Sequence, residues 1–124
     1  MRGEVAAAAE EILGHPYSGS RVSYWQAEGK TAWILKVRGK THLITTGIVV
    51  DRGQVASCEV LVYRESRGGE VRSERFLRQF NGAELRNDLT LDRSVDGITG
   101  ATISVNALKK ATRLALYLDS SMKE

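Results

Sequence analysis

Thr31-Ala32-Trp33-Ile34-Leu35-Lys36-Val37 is the stretch that decides the fold. Trp33, Leu35 and Val37 alternate with Ile34 and Lys36, the period-two pattern of a strand with one face on a core. The same pattern continues along the chain. Ala56, Cys58, Val60 and Val62 fall on one face, with Ser57 and Glu59 on the other. The breaks between these runs carry turn chemistry: Glu28-Gly29-Lys30, Gly39-Lys40 and Asp51-Arg52-Gly53. Loops this short join antiparallel neighbours, because a parallel pair needs a long crossover. The sequence therefore predicts four strands, at 21–27, 32–38, 42–50 and 55–63, in a meander.

Helices flank the sheet. Over residues 4–13, four alanines favour a helix, and Val5, Ala8, Ala9 and Ile12 share a face. Gly14 and Pro16, the only proline, end it. Residues 73–80 suit a short helix capped by Ser73, with Phe76, Leu77 and Phe80 on one side. Residues 81–101 read mostly as loop. Over residues 103–119, Ile103, Ala107, Leu108, Ala111, Leu114, Ala115 and Leu118 make an apolar stripe, with Lys109, Lys110 and Arg113 off it. The expected class is α+β: an antiparallel four-stranded meander with helices on one face and a long C-terminal helix.

The 124 residues fit one domain. An apolar share of 42% excludes a disordered chain. One cysteine, Cys58, excludes an intramolecular disulfide framework and a Cys-rich zinc site, and its apolar face suggests a buried structural thiol. His15 and His42 lack metal-ligand spacing and read as surface or strand residues. Trp25 and Trp33 read as core. No apolar run approaches the ~20 residues of a membrane helix. The alanine stretch meets Glu10 and Glu11 too early for a secretory signal. The net charge of +3 is weak support for nucleic acid, and acidic residues interleave with the arginines of residues 64–78. No nucleic acid is expected as a partner. Paired carboxylates, nucleophile–base patterns and Walker-type loops are not found in the sequence.

The segment richest in chemistry is Asp96-Gly97-Ile98-Thr99-Gly100-Ala101-Thr102-Ile103-Ser104, where a loop enters the last helix. Its glycines allow close backbone approach, and a helix start offers unsatisfied N–H groups and a positive dipole end. These suit a phosphate or other anion. Thr99, Thr102 and Ser104 add hydroxyls. The plainer reading is a helix entrance capped by Thr102 or Ser104.

Asp96-Gly97-Ile98-Thr99-Gly100-Ala101-Thr102 resembles the Asp-x-x-(Ser/Thr)-Gly-Ala-Thr motif of the FMN-binding domain family. That family includes the flavin-carrying C and G subunits of the sodium-pumping quinone reductase and of Rnf complexes. Val60–Gly69 and Phe76–Gly82 are similar to the family's preceding segments, so the resemblance covers about residues 42–119. It implies FMN as cofactor, joined through its phosphate to Thr102 by a flavin transferase. Asp96, Thr99, Gly100, Ala101 and Ser104 would surround that attachment. It also implies electron transport, redox partner proteins, a membrane electron-transport complex and an extracytoplasmic or membrane-associated setting. A non-covalent FMN-binding sensory or scaffold module is the alternative. Within the Tyr63–Gly69 turn, Glu65, Ser66, Gly68 and Gly69 are candidates for contact with the flavin, and Arg64 or Arg67 for its phosphate. The competing reading of that turn is a solvated hairpin end.

Overall fold

The structure is a computed structural model, and it describes residues 3–17 and 22–122. In chain order the elements are α1 (Gly3–Leu13), β1 (Ser23–Ala27), β2 (Lys30–Arg38), β3 (Leu43–Asp51), β4 (Gln54–Val62), α2 (Glu74–Leu77) and α3 (Thr102–Ser121). Short 3-10 turns at Gly69–Arg72 and Arg78–Phe80 flank α2. The four strands form one antiparallel sheet in the order β1-β2-β3-β4. This is the expected α+β meander. Of the first predicted strand, Arg21 lies outside the described residues.

Alternation carries the core. Trp33, Leu35 and Val37 of β2 and Ile44, Ile48 and Val50 of β3 are all buried. Against them lies α3, whose Ala107, Leu108, Ala111, Leu114, Ala115 and Leu118 are buried as the stripe predicts. Packing of α1 on α3 buries Ala9, Ile12 and Leu13. Gly14 closes α1 with φ +83° and donates its amide to the Glu10 carbonyl at 2.7 Å. Phe76 and Phe80 are buried edge to face, and Ser73 caps α2 by accepting from the Phe76 amide at 3.2 Å.

One hydrogen-bonded chain fixes how α3 lies on the sheet. The Trp33 indole donates to Thr31 Oγ1 at 2.8 Å, and Thr31 donates to Asp119 Oδ1 at 2.7 Å, all buried. The C-terminal part of α3 is thereby held at the start of β2, and its N-terminus lies toward the opposite end of the sheet.

Three expectations need correction. Trp25 is 61% exposed, because β1 is an edge strand exposed along its whole length. Tyr24, also on β1, stacks on Trp33 with centroids 4.9 Å apart. Ile103 is 50% exposed, because it sits at the tip of α3. The β4 face also departs from strict alternation. Val50 pairs with Val55 but Val49 with Ser57, so Ala56 is an extra residue. Thr46 pairs with Val60 but Thr45 with Val62, so Leu61 is another. Each bulge reverses which side chains face inward. Val55 and Cys58 are therefore buried, while Ala56 and Val62 are exposed.

Candidate functional site

The loop entering α3 is tied down through its backbone. Gln79 accepts from the Asp96 amide at 2.7 Å and donates to the carbonyls of Asp96, at 3.3 Å, and Phe76, at 3.2 Å. Further back, Arg93 donates to the carbonyls of Asn81 and Gly82, and Arg113 to that of Leu89. A turn then closes from the Ala101 amide to the Ile98 carbonyl at 2.9 Å, with Gly100 at φ +82°. That left-handed conformation favours glycine.

Thr102 opens α3, and Ala101 occupies the cap position with no side-chain cap hydrogen bond. This corrects the plainer reading of the segment, since neither Thr102 nor Ser104 caps the helix. The first helical bond runs from the Val105 amide to the Ala101 carbonyl at 2.9 Å. The amides of Thr102, Ile103 and Ser104 precede it and supply the positive end of the helix. Thr102 is exposed.

The Leu61 bulge aims the next segment at this helix end. Continued alternation from Val60 and Val62 would turn Tyr63 outward. The extra residue instead brings Tyr63 to the α3 side, where its hydroxyl donates to the Arg67 carbonyl. With that proton committed, the Tyr63 oxygen accepts from Ser104 Oγ at 2.9 Å. Gly68 lies against this pair with φ +82°; a Cβ there would sit 2.7 Å from the Tyr63 oxygen and 3.0 Å from Ser104 Oγ. Tyr63, Gly68, Ala101 and Ser104 thus join the Tyr63–Gly69 turn to the start of α3.

A third segment meets them. The β2–β3 turn, residues 39–42, closes with the Gly39 amide on the His42 carbonyl at 2.9 Å. Glu65 reaches into it. Its Oε1 accepts from the amides of Thr41, at 2.8 Å, and His42, at 2.7 Å, and its Oε2 from Thr41 Oγ1 at 3.0 Å. Because the Thr41 hydroxyl gives its proton to Glu65, the 2.9 Å contact with His42 Nδ1 makes that nitrogen the donor. A Cβ on Gly39 would lie 2.7 Å from Glu65 Oε1. The amides of Thr41 and His42 hold the Glu65 carboxyl below its ordinary range.

The three segments enclose a cleft of about 670 Å³, lined by residues from 40, 65–68 and 100–104. Small-molecule sites run ~300–1,000 Å³. Of the sequence-predicted residues, Glu65, Ser66, Gly68, Gly100, Ala101, Thr102 and Ser104 line it. Ser104 and Ala101 are buried, with the Ser104 hydroxyl engaged by Tyr63. Asp96, Thr99 and Gly69 are exposed and do not line it. Asp96 borders a neighbouring hollow with Arg75 and Gln79. The structure adds Lys40 and Ile103, which the sequence reading passed over as a turn residue and a member of the apolar stripe. Arg67 brings a second cation. Cys58 lies elsewhere, buried on β4, where burial pushes its thiol up to about 12.

An uncapped helix start, an exposed threonine at its first position and two cations around one cleft suit an anionic ligand. The FMN-binding domain family matches residues 39–117, more than half of the chain, and the protein belongs to that family. Its cofactor is FMN, and the cleft's donors fit a flavin phosphate. A search of curated proteins returned no match. Among the described residues, no helix is long and apolar enough to cross a membrane.

Proposed function

We propose that the protein is a flavin electron carrier whose FMN is tethered through its phosphate to Thr102. The uncapped start of α3, with Thr102 as its first residue, carries this reading. When bound, the isoalloxazine supplies the redox chemistry. The chain supplies the tether, the orientation and the electrostatics. In attachment, Thr102 Oγ1 loses its proton and forms the bond to phosphorus, while a transferase supplies the activated flavin nucleotide and removes its leaving group. The phosphodiester keeps one negative charge, and the α3 amides meet it with charge-assisted hydrogen bonds. No acid–base pair converges in the cleft, since the Glu65 carboxylate is already occupied by the β2–β3 turn. That supports a carrier over an enzyme with its own substrate. Its partners are then redox proteins, including those of a membrane electron-transport complex, in an extracytoplasmic or membrane-associated setting, together with the flavin transferase.

The test is acid precipitation of protein produced alongside an active flavin transferase. Yellow colour stays with the pellet of the wild type and leaves that of Thr102→Ala, whose circular dichroism and melting curve match the wild type. Colour released from the wild type would leave a non-covalent FMN module as the function.

A further inference from the structure

Glu65 makes no use of its carboxylate toward the cleft it lines. Three of its roughly four acceptor sites are taken by the β2–β3 turn: two amides and one hydroxyl, 23 and 24 residues away in sequence. The residue held between these contacts is Lys40. On one side of it, Gly39 lies so close to the Glu65 carboxylate that a side chain is excluded; on the other, Thr41 is bonded through both amide and hydroxyl. Lys40 is exposed, lines the cleft with Thr102 and, among the described residues, has no carboxylate partner. A lysine binds phosphate as a point charge, and fixing its backbone lowers the entropy lost when it does.

We infer that Glu65 is a positioning residue that, through the Gly39–His42 turn, holds Lys40 where its ammonium meets the phosphate of FMN. This rests on FMN lying with its phosphate at the start of α3. The Glu65 carboxylate keeps its negative charge, which opposes a phosphate, and the amides and hydroxyl of the turn offset only part of it. Its favourable role is as the anchor of a cation.

The experiment uses the full chain without attached flavin, titrated with FMN and with riboflavin, which lacks the phosphate, and followed by flavin fluorescence at low salt. Wild type prefers FMN. Lys40→Ala weakens FMN binding about tenfold and leaves riboflavin unchanged, as expected for loss of one charge-assisted contact. Glu65→Ala does the same, and the double variant is no weaker than either single one, because both act through one contact. Glu65→Gln, which keeps an acceptor for the two amides, retains most of the preference. Should Glu65→Ala fail to fold, Glu65→Asp replaces it with the same readout, its carboxylate drawn back from the turn. An unchanged FMN-to-riboflavin ratio in Lys40→Ala overturns the proposal while leaving the flavin site standing. So does a Glu65 variant that weakens both flavins equally, since the turn is then merely structural. Wild type that binds neither flavin, or shows no preference for FMN, overturns the phosphate site and the proposal with it.

Discussion

The two ends of the sheet are built differently. At one end, β1–β2 and β3–β4 close through two-residue turns, Glu28-Gly29 and Arg52-Gly53, with all four residues at positive φ. These mirror-type turns match strand twist and need nothing beyond themselves. At the other end, the four residues between Arg38 and Leu43 are held by Glu65, from beyond the next two strands. The Tyr63–Gly69 turn there leans on Ser104 of α3. Local turns serve where only connectivity is required. Where three segments meet around the cleft, they are held by contacts distant in sequence, so the geometry of the cleft depends on the fold of the whole.

This contrast can be broken at matched positions. Gly68→Ala and Gly53→Ala both place a side chain at a left-handed residue, at φ +82° and +81°. Only Gly68 is also crowded, so its substitution costs about 3 kcal/mol from strain and overpacking together. It should also lose FMN binding. Urea unfolding measures the first effect and flavin titration the second. Thr31→Val removes the buried donor to Asp119 at the opposite end and costs about 2 kcal/mol in the same unfolding assay, with FMN binding retained. Gly53→Ala has open space around its new methyl and costs about 1 kcal/mol, the backbone term alone. The smallest effect is that of pH on the Glu65 contact. Its carboxyl is held low, so the contact is complete above the ordinary carboxylate value of about 4.3 and is lost as pH falls through the lowered folded value. The amide resonances of Thr41 and His42 should titrate together below that ordinary value, and the shared transition should vanish in Glu65→Gln. If it persists in Glu65→Gln, the transition does not report the Glu65 contact.

Much of the fold was legible because it rests on local periodicities. The alternation in β2 and the α3 stripe from Ala107 to Leu118 read as they fold, and Ser73 caps α2 as its position suggests. What could not be read depends on pairing. Nothing local marks Ala56 or Leu61 as extra residues, since a bulge exists only relative to the partner strand. Trp25 read as core because an edge strand looks like any other in sequence. Within the site, the motif around Thr102 was readable as a helix entrance. Its uncapped state was not, because the Ser104 hydroxyl could have turned back to its own helix and instead bonds Tyr63. The contact between Glu65 and residues 39–42 had no signal, as it spans two whole strands of intervening chain.

The Leu61 bulge bears on how this cleft can be transplanted. Tyr63 faces α3 only because the count of residues between Cys58 and Tyr63 has the wrong parity for a regular strand. A deletion at Leu61 would bring that count to the regular parity and leave Tyr63 on the α3 side, whereas the same residues laid in an unbulged strand would point Tyr63 away from Ser104. A designer grafting the flavin motif onto another meander must therefore copy an offset as well as a set of side chains.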